Sequence, residues 1–238
     1  MSDYTILKVN DKTDSYYTKK KDIFDLPFRL LIIGKSFLSG KSTVILNLLL
    51  REKFFKNDFK GENIFIISNN AMDNKMRILK TEKDVDAHNF MQFSESNLEA
   101  VYEEVEERAL EAIGEGKRPP NSLIVIDDVA FSGGLKESER KGTLSRIFCN
   151  GRHINLSIIV TAQKYSQLST TMRSNCSGAI LFSNSMHEVE AMAMDMNYLE
   201  RKRDFVSMFR QATKKKNSFL VVNFTEDGIY QDSDFKPL

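Results

Sequence analysis

The run Ser39-Gly40-Lys41-Ser42-Thr43 follows an apolar segment, Leu30 to Ile33, and leads into a second one, Val44 to Leu50. Backbone N–H groups that converge at a helix N-terminus bind an anion, and a lysine among them adds a point charge. The pattern is therefore that of a phosphate-binding loop, with Lys41 reaching the β and γ phosphates of a nucleotide and Ser42 holding Mg2+. Its register is irregular. The usual G-x-x-x-x-G-K-[ST] spacing places Lys35 where the first glycine belongs, with Gly34 one residue early and the bulky pair Phe37-Leu38 inside the loop. Side chains at such positions resist positive φ. Gly34 is expected to turn the chain out of the strand, with the extra residue bulging at the outer lip and the inner N–H cradle left intact.

A phosphate loop needs a carboxylate partner, and "LIVIDD" supplies one: four apolar residues, Leu123 to Ile126, then Asp127 and Asp128. An apolar strand that delivers carboxylates at its C-terminal end presents them to Mg2+ and water beside a phosphate. Asp127 is assigned to the Mg2+ shell and Asp128 to orienting or deprotonating the attacking water. A buried strand followed by an acidic turn is the bland alternative, and the loop upstream weighs against it. The next apolar run, Leu156 to Thr161, leads to Gln163, whose amide at a strand tip would sense the γ-phosphate; a cap or turn residue is the alternative there. Transition-state charge on a phosphoryl group calls for a guanidinium, often supplied by a neighbouring subunit. Arg146, Arg152 and Arg173 all lie between these segments, with Arg152 preferred, Arg173 second, and a surface or DNA-contacting arginine the competing reading of either.

The elements that must position these residues follow from the pattern of the chain. At 238 residues, 41% hydrophobic and 28% charged, it suffices for one large α/β domain with extensions and a sizeable core. Strands are expected at Phe28 to Ile33, Ile64 to Ser68, Leu123 to Asp127, Leu156 to Thr161, Gly178 to Phe182 and Phe219 to Phe224, alternating with helical patterns as in a sheet wound with crossover helices. Lys41 to about Arg51 is apolar on most faces and should be buried, and Asn97 to Ile113 is amphipathic, with an acidic outer face. Residues 1 to 26 are expected as an arm or peripheral element, 27 to 224 as the domain, and 225 to 238 as a polar tail.

Net charge is +1, so affinity for nucleic acid must come from local patches. Arg201 to Lys216 is such a patch, with Arg203, Arg210 and Lys214 spaced for one stripe on a helix; it is either a solvated face or a phosphate-backbone contact. Two cysteines without ligand spacing fit a reducing compartment, no apolar run is long enough to span a membrane, and no secretory signal is seen at the N-terminus, so the protein is expected inside a cell.

The order of phosphate loop, "LIVIDDV", "GRH" and "TAQKYSQLSTTMRSNCSGAILF" resembles the genome-packaging ATPases of large DNA viruses, in the FtsK/HerA superfamily, from about Pro27 to Phe224. The resemblance implies a RecA-like P-loop core with an additional strand beside the Walker B strand, working as a homo-oligomeric ring, six subunits favoured, around double-stranded DNA. It implies ATP and Mg2+ as cofactors, and a capsid or portal-vertex protein as partner. It also implies work in the host-cell cytoplasm, in a viral factory or with the virion. On this match Ser39, Gly40, Lys41, Ser42 and Thr43 bind nucleotide, Asp127 and Asp128 form Walker B, and Gln163 is the sensor. A P-loop phosphotransferase and a non-enzymatic nucleotide-binding scaffold remain the alternatives; the acidic pair and the strand-tip glutamine count against them.

Overall fold

The computed structural model describes residues 16–36, 39–69, 73–127, 142–225 and 229–238. Eight strands form one sheet: β1 (Arg29–Ile33), β2 (Ile64–Ser68), β3 (Phe90–Met91), β4 (Ser122–Asp127), β5 (Leu156–Ala162), β6 (Gly178–Phe182), β7 (Phe219–Asn223) and β8 (Tyr230–Gln231). Their spatial order is β3-β2-β4-β5-β1-β6-β7-β8. The first six in that order run parallel, and β7 and β8 add antiparallel pairings at one edge. The central strands are buried on both faces, which is why they read as continuous Ile/Leu/Val runs.

Alternation along each strand divides the core in two. Leu31, Ile33, Ile124, Ile126, Ile158 and Val160 point into one half, shared with α3 (Glu95–Gly114), α4 (Thr143–Asn150), α5 (Thr170–Asn175), α6 (Met186–Met196) and α7 (Lys202–Ala212). Leu30, Ile32, Leu123, Val125 and Ile159 point into the other, shared with α1 (Lys41–Leu50) and α2 (Asn74–Glu82). Helix α1 is less enclosed than its composition suggests: Ile45, Leu48 and Leu49 are buried, whereas Val44, Leu46 and Leu50 are only partly covered. On α3 the buried stripe is Leu98, Val101, Tyr102, Val105 and Ala109, and Ile113 is exposed. Its acidic face does meet a basic neighbour, with Arg146 4.0 Å from Glu99 and stacked over Tyr102.

Both chain segments expected to be peripheral carry core residues. Ile23, Phe24 and Leu26 are buried with Phe28 beneath the α1 side of the sheet; paired hydrogen bonds between Thr18 and Leu26 close the segment on itself, and Arg118, donating to Tyr16 O (2.6 Å), and the Lys20–Asp58 pair (2.6 Å) tie it to the domain. Phe24 lies over Gly178 of β6, where a β-carbon would come within 2.4 Å of its ring. Within 225–238, β8 extends the sheet, and Phe235 packs against Phe24, Phe54 and Phe219. Short apolar groups among polar residues, Ile23-Phe24 and Leu26 in one segment and Phe235 in the other, hide this anchoring in the sequence, because neither segment has a helical or strand period. Replacing Phe24 with alanine would empty a fully enclosed ring site, and we expect a loss of about 3–5 kcal/mol in unfolding free energy, measured by denaturant titration.

Candidate nucleotide-binding site

The phosphate loop leaves β1 at Gly34, whose N–H donates to Ala162 O at the end of β5 (3.0 Å). Gly34 is not at positive φ. Its requirement is contact: a β-carbon there would sit 2.6 Å from Ser39 Cβ and 2.8 Å from Phe182 Cβ. The left-handed position belongs to Gly40, at φ +80, from which α1 starts. The two glycines thus divide the work, Gly34 letting the returning loop close over the strand end and Gly40 turning it into the helix. Phe37, Leu38 and Asp128 lie outside the described residues.

The first turn of α1 has no preceding helical carbonyls for its N–H groups, which makes it an anion cradle. Val44 N–H closes that turn on Gly40 O (3.0 Å). Ser39 and Lys41 are buried; Ser39 Oγ donates to Lys35 O (2.7 Å), and Lys41 Nζ donates to Gly34 O (2.7 Å). Asp127, 2% exposed at the end of β4, accepts from Ser42 Oγ at 3.3 Å and from Thr161 Oγ1 at 2.7 Å. Because β5 lies between β1 and β4, Thr161 sits under the gap that the carboxylate must cross. One carboxylate oxygen is thereby fixed by β5 while the other faces the helix serine. Carboxylate and serine hydroxyl are both hard oxygen groups, the donor type that Mg2+ takes.

The structure brings Ser39, Gly40, Lys41, Ser42, Thr43 and Asp127 together and places Gln163 at the same end of the sheet. Gln163 directly follows Ala162, and its carbonyl accepts from Asn184 Nδ2 (3.0 Å). The segment beyond it is anchored by Glu188, whose carboxylate receives Ser166 N–H (2.9 Å) and Ser166 Oγ (2.7 Å).

The two arginines are elsewhere. Arg152 lies exposed in the turn before β5, so a seven-residue strand, about 20 Å, separates it from its own phosphate loop. Arg173 is engaged within its own subunit, donating to Asp195 Oδ2 (2.9 Å) and stacking over Tyr165.

Several residues at the site escape the sequence reading. Lys75, in the first turn of α2, donates from Nζ to Thr43 Oγ1 (2.7 Å). Lys216 and Asn217 also border the cleft at Ser42 and Thr43. The stripe expected across Arg203, Arg210 and Lys214 is broken, because α7 ends at Ala212 and leaves Lys214 to Lys216 in a turn. An apolar groove runs from the loop along Val44 and Leu48 to Phe54, Phe182, Phe219 and Phe235. The open side of α1 faces this groove.

A phosphate loop joined to a strand-end carboxylate across an intervening parallel strand defines a RecA-like P-loop ATPase core. Sequence and structural relatives then narrow the class. The chain belongs to the family described as Poxvirus A32 protein, whose model matches residues 16–236. The DNA packaging protein OPG160 of Vaccinia virus (strain Copenhagen) is 22% identical over 220 residues, covering 91% of this chain and 76% of the relative. The Variola virus protein of the same name matches to the same extent, 22% over 220 residues. Among solved structures, the genome packaging NTPase B204 from Sulfolobus turreted icosahedral virus 2 in complex with AMPPCP superposes with TM-score 0.54 at 14% identity, over 83% of this chain and 92% of that one. B204 described as the DNA-packaging ATPase from Sulfolobus Turreted Icosahedral Virus gives TM-score 0.53 at 15% identity, over 84% and 94%. At such identities the likeness is one of fold.

Two outcomes are expected from this geometry. Gly34→Ala would force the loop off the strand end, costing about 1–3 kcal/mol in stability and weakening nucleotide binding, as read by thermal unfolding with and without ATP. Burial alone would raise the Glu188 carboxyl, but the Ser166 hydrogen bonds and His187 outweigh it and hold its pKa below the ordinary carboxylate value. Its stabilising contribution is then complete above about pH 4.5 and disappears as pH falls through the lower, folded value. Glu188→Gln should therefore be less stable than the parent protein at neutral pH, and the difference should narrow as pH falls below about 4.5; a deficit that does not narrow on acidification would contradict it.

Proposed function

We propose that this chain is an ATP-hydrolysing DNA translocase that moves a double-stranded DNA genome into a preformed viral capsid. The observation that carries the reading is the meeting of Ser42 and Asp127 at the mouth of the phosphate loop, with Thr161 fixing the carboxylate. Membership of the poxvirus family and the packaging names of relatives from Vaccinia and Variola viruses support it.

In this proposal the phosphates lie on the first turn of α1 with Lys41, and the base lies in the groove beside Phe182 and Phe219. Ser42 and Asp127 would hold Mg2+, which when bound offsets phosphate charge. Asp128 orients the attacking water, and Gln163 reports the γ-phosphate to the segment held by Glu188. Arg152 cannot reach its own phosphates, so it would serve the neighbouring subunit in a homo-oligomeric ring, a hexamer in our reading; Arg173, already paired with Asp195, is the weaker candidate. DNA phosphates would be met by Arg203 and Arg210 on α7, and a capsid or portal-vertex protein would receive the ring in a cytoplasmic viral factory. Among the described residues no helix is long and apolar enough to cross a membrane.

The test is ATP hydrolysis with and without linear double-stranded DNA over a range of protein concentrations. We expect stimulation by DNA that grows with concentration, abolished in Lys41→Ala, and in Asp128→Asn a loss of turnover with ATP still bound. Stimulation should be weaker in the Arg203→Ala/Arg210→Ala variant, with the salt dependence of DNA binding less steep by about one unit for each phosphate no longer neutralised. Hydrolysis indifferent to DNA at every concentration would sink the translocase reading.

A further inference from the structure

The turn between α7 and β7 is where the cavities around the phosphate loop meet. Asn217 borders the cleft at Ser42 and Thr43, the apolar groove, and a third cavity that reaches Lys35 and Ser39. Lys216 borders the first and the third of these. The turn has a definite shape. Thr213 Oγ1 caps the last carbonyls of α7 through Phe209 O (2.8 Å), Ser218 N–H (3.1 Å) and Oγ (2.7 Å) both close on Lys215 O, and Asn217 adopts the left-handed conformation at φ 63. Asparagine tolerates that region better than most residues, so a lysine run is carried through a tight reversal rather than along a helix. The far end of the turn is fixed because β7 pairs with β6, which pairs with β1, and Phe219 meets Phe182 edge to face next to the loop.

The charge at the cleft also calls for more than the loop contributes. A nucleoside triphosphate brings about four negative charges; Mg2+ would offset part of them, and the described loop sets the buried Lys41, itself hydrogen-bonded to Gly34 O, and the exposed Lys35 against the rest. Lys75 is tethered to Thr43 at the edge of the same cleft. Lys216 is exposed, and its ammonium is carried on a flexible four-carbon stem that can follow a phosphate.

Resting on the nucleotide-binding reading above, we propose that Lys216, presented by the left-handed turn at Asn217, is a phosphate ligand of the nucleotide bound in its own subunit. The α7–β7 turn is then a second nucleotide-binding loop, and the basic run divides into two jobs: Lys216 in the turn for the nucleotide, Arg203 and Arg210 on α7 itself for another polyanion.

The experiment is calorimetric titration of the full chain with ATPγS, for the parent protein, Lys216→Gln, Lys216→Arg and Lys117→Ala, an exposed lysine ahead of β4 at the other end of the sheet. Thermal unfolding without nucleotide should be the same in all four. We expect Lys216→Gln to weaken ATPγS about tenfold, with a shallower salt dependence, and Lys216→Arg to keep most of the affinity; Lys117→Ala should match the parent. Unchanged affinity in Lys216→Gln, or equal losses in the Gln and Arg variants, would overturn the assignment while leaving the phosphate loop in place. A parent protein that does not bind ATPγS would instead overturn the nucleotide reading, and this one with it.

Discussion

The phosphate end of this molecule depends on where one carboxylate is held. Asp127 belongs to β4, the loop belongs to β1, and a whole strand stands between them. A buried carboxylate left to itself would be costly, and here Thr161 on the intervening strand takes one oxygen while Ser42 takes the other. The hydroxyl of Thr161 converts what would be a gap into a bridge, so strand order, and not only the presence of two motifs, determines that the loop and the acid are in register.

That register is supported from both sides of the sheet. On the α1 side, the segment around Phe24 fills the space that a side chain at Gly178 would occupy, and Phe235 from the other end of the described chain packs on the same ring. The glycine in β6 and the aromatic that covers it are one device, which seats the chain's outlying segments directly beneath the strand next to the loop. On the opposite side, five helices share a single core with the same strands, and Glu188 couples the first turn of α6 to the chain leaving β5. The site is therefore assembled from segments that are distant in sequence and rigidly cross-braced in space.

Much of this is legible in the residues themselves. Six strands can be read within a residue or two because burial on both faces leaves an unmistakable Ile/Leu/Val run, and the Ser39–Thr43 and Asp127 pieces announce themselves by chemistry that few other arrangements need. What escapes is short or long-range. The two-residue strands β3 and β8 have no period to detect. The seating of Phe24 depends on Gly178, and no local pattern connects them. The reason for Gly34 is hidden by the same cause: the motif suggests a turn, whereas the obstacle is Ser39 folding back and Phe182 arriving from β6. In the basic run, Arg203, Arg210 and Lys214 are spaced as one helical stripe, but α7 ends at Ala212 and the chain reverses at Asn217. The loop's bulky pair and Asp128 fall outside the described residues.

The order of the strands has a consequence for how the chain is made. β1 emerges early but has no neighbour among the next two strands; it pairs with β5 and β6, and Arg29 N–H waits for Ser177 Oγ, 148 residues further on. At about 5–20 residues per second, a nascent chain would carry β1 and the apolar helix behind it without a strand partner for roughly 6–25 s, until β5 is made. Contacts of such long sequence separation also slow the search for the native arrangement after release. Polypeptide synthesis thus leaves the phosphate-loop strand exposed while most of the sheet is still to come, its apolar run interrupted only by the polar Lys35 and Ser36 before the bulky pair that follows.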